Sequence, residues 1–559
     1  MCMMHEETPT QARMHTLGAR RRRQHIEHVG AQRLLSGLRD AEPVHRDEQE
    51  MVDAVAAALA QVASASMCCT GASSPAPGPT PVARPAAGQS SARPREGRHR
   101  SRPTSRRFVL PRVTIIEPTV RREVADVVVA DGRIVDVLAP GSGPYEGYDL
   151  LELYRGCFVL PSLTDMHTHL PPHNVLNLID LFLLLFLAHG ITTIRDAADI
   201  DGTSLPEYRD GIDAGRFIGP RSFPAGPFLV KGRTRWTNTM QVDGPDDAER
   251  IARDLVRQGM RCMKLYENLK VDEIAALERA ASHQGLITLG HVPTLLGIEE
   301  AKLADAQHFF GVAPPASLPR DHVLDRLIFW DAVDDKRIDT VVRSAVEGGL
   351  ANTPTLVVTE RLLAAGPRGF LDDPSLDLVP RFYRDVIWHP HHGLPAYRRP
   401  DEERIVRIKA TMEKKFELVR RLYHAGATLR VGTDSQAYVV PGSALHTEMK
   451  LFEQAGIPTS VVLKMATRDA ALALGQEDLG VIRKGAVADL LVCAADPTEN
   501  LDALASMRAV AHRGALYCAE HLWDEIHDRL RAQNGTFMRL GAAALARLAM
   551  WSLARRFTG

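Results

Sequence analysis

Apolar and polar positions divide the chain into stretches of unlike character. Residues 1–106 sustain no apolar periodicity, apart from 47–65, which reads as a single helix. Pro, Ala, Ser, Gly and Arg dominate 72–107, and such a composition buries too little apolar surface to offset the entropy of ordering the backbone. Residues 1–106 are therefore expected to be a disordered, basic, Pro-rich region. From Phe108 the pattern changes to short β-branched runs at 113–116, 126–130, 133–138 and 157–160, with Asp131-Gly132 as a hairpin signal. After Pro161, strand-like runs at 191–195, 263–266, 286–290, 306–310, 355–359 and 428–433 alternate with amphipathic helical stretches such as 246–258, 271–283 and 401–425.

Alternation sustained over 161–475 predicts an α/β fold, a parallel (β/α)8 barrel of the TIM type. A doubly wound sheet is the alternative, but no G-x-G-x-x-G follows a strand, so nothing points to a dinucleotide site. Strand signals return at 480–482, 488–493 and 508–517. Residues 476–520 are expected to join 107–160 in a small discontinuous β-sandwich. Residues 521–559 form a C-terminal helical extension. Its segment 538–557 is apolar yet carries Arg539, Arg547, Arg555 and Arg556 beside Trp551, so it reads as docking on the barrel or making peripheral contact with a membrane.

Composition narrows the function classes. The formal net charge of -1 gives no global pull toward nucleic acid, although Arg20 to Arg23 make the first hundred residues locally basic. Seven cysteines, odd in number and irregularly spaced, are not a disulfide framework and point to a reducing, cytoplasmic setting. An export or lipid signal before Cys68 and Cys69 is disfavoured, because Asp53 interrupts the apolar run and Met67 is a poor cleavage residue. No stretch has the ~20 uninterrupted apolar residues of a spanning helix. The most apolar one, 176–187, contains Asp180 and reads as a buried helix. A homo-oligomer stays open.

The sharpest chemical signal is Asp165-Met166-His167-Thr168-His169. Alternate residues on a strand point the same way, so His167 and His169 can face one metal from the end of the first barrel strand. Chance H-x-H pairs are common, and alone this one would not decide the matter.

The segment Val159-Leu160-Pro161-Ser162-Leu163-Thr164-Asp165-Met166-His167-Thr168-His169 resembles the first-strand signature of the amidohydrolase superfamily, with Ser162 and Thr164 as departures. Further similarities follow in order: Gly190 to Asp196, Gly219-Pro220-Arg221, Met263 to Tyr266, Gly290-His291-Val292-Pro293, Gln307-His308, Val431 to Ser435, and Leu479-Gly480 through Leu490. Gln307 stands where a Glu is usual. The set is most similar to the imidazolonepropionase and Xaa-Pro dipeptidase branch.

That resemblance implies a divalent metal cofactor, zinc above all, as one or two ions. His167 and His169 would bind the more buried ion and His291 and His308 the second. Asp434 would touch the first and act as the catalytic base. Lys264 would carry an N6-carboxyl group bridging both ions, or, unmodified, pair with a carboxylate such as Glu267 beside a single metal. Water is a poor nucleophile at neutral pH, and zinc lowers its pKa from 15.7 to about 7 in the best cases. Tyr266 shares the strand face of Lys264 and is placed to contact substrate. Ser443 and His446 follow the eighth strand as supporting residues. His389, His391 and His392 lie in a Pro- and Arg-rich stretch where a lid would sit, and read as solvated or substrate-contacting. Arg233 or Arg235 would suit a substrate carboxylate.

The reading is a hydrolase of an amide-like C–N bond in a small-molecule substrate, a cyclic amide, small peptide or N-acyl compound. A deaminase is the near rival, but His291 is followed by Val292, Pro293 and Thr294 rather than H-x-x-E. A lactonase on the same barrel and an inactive binding scaffold complete the alternatives. A scaffold has no need of every expected ligand. Specificity lies in loops such as 233–241 and 311–319, which match nothing legible.

Overall fold

Strands from the two ends of the chain meet in one sheet. In the computed structural model, residues 103–535 and residue 541 are described, except 118–120, 174–177, 233, 235, 319–322, 365–372, 388–400 and 436–438. The expectations for 1–102, for the helix at 538–557, for His389, His391 and His392, and for Arg233 and Arg235 lie outside the described residues.

The shared sheet has eight strands. Its spatial order is Ala515–Cys518, Met507–His512, Leu490–Cys493, Phe158–Pro161, Arg107–Glu117, Arg121–Ala130 and Arg133–Leu138, with Asp149–Leu150 also paired to Arg107–Glu117. Leu490–Cys493 runs antiparallel to Phe158–Pro161, and that pairing joins the two flanks. Alternate residues supply one core: Val127 and Val129 from one flank pack with Leu490, Val492, Ala509 and Ala511 from the other. Asp131 and Gly132 have φ of 50° and 78°, the left-handed pair that a tight hairpin needs. Pairing starts at Ser105, which bridges Leu516, just inside the stretch read as disordered.

Two flank expectations change. Residues 480–482 are no strand: Gly480 is left-handed at φ 74°, and the Ile482 N–H donates to a Glu117 side chain instead of a neighbouring strand. The run 508–517 is a hairpin, Met507–His512 and Ala515–Cys518, because Arg513 and Gly514 turn the chain at φ 49° and 77°.

The middle of the chain is mixed α/β with parallel sheets. Leu163–Thr168, Ile191–Asp196 and Arg221–Pro224 form a three-stranded sheet. Thr239–Gln241, Phe228–Val230, Cys262–Leu265, Ile287–Gly290, Asp305–Gln307 and Ala351–Thr353 form a six-stranded one. The Arg261 N–H donates to the Pro224 carbonyl, linking the two. The expected strand at 428–433 appears only as isolated bridges, Asn352 with Leu429 and Thr168 with Ser435.

Helices Ala248–Arg257, Val271–Gln284 and Glu402–His424 answer the amphipathic stretches expected at 246–258, 271–283 and 401–425, Ile179–Ala188 is the helix read in the most apolar run, and Asp335–Gly348 is a further helix. Ile179–Ala188 is buried throughout except at Asp180, which pairs with Arg529. Among the described residues no helix is long and apolar enough to cross a membrane. The run 355–359 is not a strand but the start of helix Leu356–Ala364. Its β-branched residues favour a strand locally, yet the Leu356 and Val357 N–H groups donate to the Glu448 carboxylate at 2.9 and 2.6 Å, a cap only the tertiary fold can supply. The strand sits earlier, at Ala351–Thr353.

Candidate metal centre

Leu163–Thr168 is buried along its whole length, and its alternation sends Asp165, His167 and, just beyond, His169 the same way. A side chain at Gly432 would bring a Cβ within 2.7 Å of the His167 nitrogen, so only glycine lets segment 431–435 run against this strand. The Asp165 carboxylate accepts from His167 N at 3.1 Å, Thr433 N at 3.1 Å and Thr433 Oγ1 at 2.7 Å. Asp434 adopts a left-handed φ of 58° and its N–H donates to the His167 carbonyl at 2.7 Å. The result is a tight triangle: Asp434 Oδ1 lies 3.3 Å from His167 Nε2 and 3.3 Å from His169 Nε2. One donor atom from each of the three lies within 4.8 Å of the others.

Four more of the expected residues gather beside it. His308 has a left-handed φ of 62°, and its ring centroid is 4.8 Å from that of His167 and 4.8 Å from that of His291. Fully buried Lys264 holds its Nζ 3.5 Å from Gln307 Oε1. The Tyr266 ring lies 4.3 Å from the His291 ring. Hydrogen bonds hold the Nδ1 side of two imidazoles: His169 Nδ1 is 2.9 Å from the Ala198 carbonyl, and His308 Nδ1 is 2.7 Å from Thr355 Oγ1.

Electrostatics favour a cation-binding state. Burial, reinforced by the Lys264 charge, pushes His167 down to about 3, and burial also holds His291 and His308 well below the ordinary imidazole range. All three are neutral near pH 7, with lone pairs to offer. For Asp434, burial opposes ionisation, but hydrogen bonding from His167 and His169 outweighs it and keeps the carboxyl well below its usual range. Burial brings Lys264 down to about 7. Glu267, the carboxylate considered for Lys264, bonds Arg326 instead.

Both ring nitrogens of buried His167, together with His291 Nδ1 and Gln307 Nε2, have no hydrogen-bond partner. Buried polar atoms rarely stay unsatisfied, and imidazole nitrogens around a carboxylate are the donor set of a divalent cation. The residues fit such an ion. His446 is not brought here: its Nε2 is 2.9 Å from the His189 carbonyl and its ring packs on His189. Asp165, Thr355 and Arg326 had no assigned place at the site, and Glu267 had one only as a partner for Lys264. The i−2 spacing of Asp165 from His167 was a visible signal, whereas the other three come from distant segments with no motif.

Residues 158–515 match the sequence model of the amidohydrolase family. Among solved structures, a bottromycin amidohydrolase is 25% identical with a TM-score of 0.61, over 78% of this chain and 92% of that one. A putative prolidase from Bifidobacterium longum is 22% identical, TM-score 0.55, over 75% and 99%. An Xaa-Pro dipeptidase with bound methionine in its active site is 19% identical, TM-score 0.54, over 74% and 100%. No curated protein matches the chain.

Proposed function

Because the chain belongs to the amidohydrolase family, whose members generally use divalent metals, we propose that it is a binuclear, zinc-dependent hydrolase of a small amide, peptide or N-acyl substrate. It is a hydrolase acting on C–N bonds. The observation that carries the metal reading is the convergence of His167 Nε2 and His169 Nε2 on Asp434 Oδ1, each at 3.3 Å, with His167 buried and the other two half-buried.

In this reading His167, His169 and Asp434 would hold one cation, and His291 and His308 would hold a second. Lys264, buried and close to the Gln307 amide rather than a carboxylate, would supply a further oxygen ligand as its N6-carboxyl derivative. A bound divalent cation polarises the scissile carbonyl and lowers the pKa of water toward neutrality. Asp434, held ionised, takes a proton from the attacking water and returns it to the leaving nitrogen as the C–N bond breaks. Tyr266, beside His291, contacts the substrate. Neutral imidazoles and a nitrogen-rich donor set suit zinc better than magnesium or calcium.

The parallel sheets together with segment 428–435 are read as one (β/α)8 barrel. Support comes from the Arg261–Pro224 hydrogen bond and the bridges at Leu429 and Ser435, which between them leave the site at the C-terminal ends of the strands. The eight-stranded sheet is read as the discontinuous β-sandwich. The domain scheme of 107–160, 161–475, 476–520 and 521–559 follows from both.

The test is purification from zinc-supplemented medium, metal analysis, and a screen against dipeptides, N-acyl amino acids, cyclic ureas and lactones. Asp434→Asn should cut turnover by about 10²-fold or more while metal is retained. Full activity in that variant would refute the base assignment. A metal-free parent protein would favour a binding scaffold.

A further inference from the structure

Ala198, Phe228, Val230 and Tyr266 form a small apolar cluster of their own, apart from the main core, and half-buried Trp236 packs against it. Its rings make an arc along the metal centre. The Phe228 ring centroid is 6.4 Å from that of His169 and 4.7 Å from that of Tyr266, and the Tyr266 ring is 4.3 Å from that of His291. Trp236, more exposed than Phe228 or Tyr266, ties the arc together. Its indole stacks on Phe228 at 5.3 Å and 11°, and its Nε1 donates to the Tyr266 hydroxyl at 2.9 Å.

Trp236 belongs to no strand, yet its loop is braced. The Gln241 side-chain amide donates to the Gly232 carbonyl at 3.0 Å and accepts from the Gly232 N–H at 2.9 Å, closing the loop at its base. Asn238 Nδ2 donates to the Asp199 carbonyl at 2.7 Å, and the Phe228 N–H donates to the Asn238 carbonyl at 3.1 Å. An indole held by a stack, a hydrogen bond and a braced loop has little freedom left to lose, so contact with it costs little further entropy. The charged residues that follow Val230 and Tyr266 are paired elsewhere, Lys231 with Glu273 and Glu267 with Arg326. The surface these three rings offer is flat and apolar.

The geometry points to Trp236 as a specificity-determining residue: with Phe228 and Tyr266 it forms a wall that takes a flat apolar group of the substrate, an aromatic ring above all, while the scissile bond lies at the metal centre. The inference rests on the reading of that centre as the hydrolytic site. It narrows the substrate class from small amides, peptides and N-acyl compounds in general to those bearing an aromatic side chain. It assigns Trp236 no proton transfer.

The test is equilibrium binding to zinc-loaded, full-length protein carrying ¹⁵N-labelled tryptophan, with the Trp236 indole signal assigned by its loss in Trp236→Phe. Two probes share a carboxylate that can meet a cation and contain no bond to hydrolyse: hydrocinnamate ends in a phenyl ring, levulinate in a polar ketone. Hydrocinnamate should shift the Trp236 signal and bind about tenfold more tightly than levulinate. Trp236→Ala should abolish that preference by weakening hydrocinnamate alone, and Trp236→Phe, which keeps a ring without the N–H, should retain most of it. If Trp236→Ala does not fold, Trp236→Leu, apolar but not flat, carries the same comparison. Equal affinity for the two probes in the parent, or an undiminished preference in folded Trp236→Ala or Trp236→Leu, overturns the inference. A parent that prefers hydrocinnamate through Trp236 but turns over none of the screened amides supports the wall and refutes the proposed substrate range instead.

Discussion

Thr433 Oγ1 donates to Asp165 Oδ2 across 2.7 Å, tying the strand that carries His167 to the segment that carries Asp434. The Thr433 and Asp434 N–H groups also both donate to the His167 carbonyl. Burial pushes the Asp165 carboxyl up to about 7 despite its three hydrogen bonds. Replacing Thr433 with Val removes the hydroxyl donor at nearly constant shape. The variant should lose about 1–3 kcal/mol of stability in urea unfolding and bind its first metal equivalent more weakly. If both quantities match the parent, the two segments do not depend on this bond for their alignment.

Glu448 shows a tertiary side chain deciding secondary structure. It caps Leu356–Ala364 by accepting two backbone N–H groups, and it is completely buried. Glu448→Ala should strand both donors and destabilise the fold by about 1–3 kcal/mol, whereas Glu448→Gln, keeping one acceptor oxygen, should cost less. Hydrogen exchange at Leu356 and Val357 would localise the effect. Equal protection in Glu448→Ala and the parent would show that the helix start does not need this cap.

Much of the architecture was legible in sequence because it rests on local period and turn chemistry. The Asp131-Gly132 hairpin, the strands around Ile191 and Met263 and the helix 401–425 each carry their own signal, and Asp401 even supplies the cap, accepting from the Arg404 N–H. The failures are places where distant groups overrule that signal. Residues 355–359 have a strand-like composition but meet Glu448; residues 480–482 meet Glu117; Arg513-Gly514 splits an apparent single strand. At the site, His167, His169 and Asp434 could be found because an ordered series of motifs contains them. Glu267 and Arg326, 59 positions apart, find each other only in three dimensions.

Metal should act as a folding ligand. The unpartnered nitrogens of His167 and the 3.3 Å contacts to Asp434 describe a site that exists only in the folded chain. An ion that binds only the native state stabilises it by about 2.7 kcal/mol when present at a hundredfold excess over its Kd. Zinc should therefore raise the unfolding midpoint of metal-stripped protein, and a chelator should reverse the rise. His167→Asn should abolish the response. A zinc-induced shift of undiminished size in His167→Asn would place the bound ion elsewhere.

Acid should release the helix Ala519–Gln533 before the rest of the fold. His189 packs on His446 and on Trp523 of that helix, with ring centroids 5.5 and 5.2 Å apart. Burial lowers His189 to about 4, and burial aided by the His189 charge lowers His446 to about 3. Folded values below the unfolded 6.5 mean that the native state disfavours the imidazolium. The stability these groups confer is complete above pH 6.5 and is lost as pH falls through about 4 and then about 3. Neighbouring charges reinforce the direction, since Lys450 also opposes a second positive charge on His446. The unfolding midpoint should thus decline below pH 6.5, accompanied by a change in Trp523 fluorescence. Carboxylates in ion pairs, such as Asp180 with Arg529 on the same helix, contribute their own acid loss, so the decisive quantity is a difference. His446→Gln, which keeps a donor for the His189 carbonyl but cannot titrate, should flatten the decline between pH 6.5 and 4. A decline as steep as that of the parent would assign the acid sensitivity to the carboxylates alone.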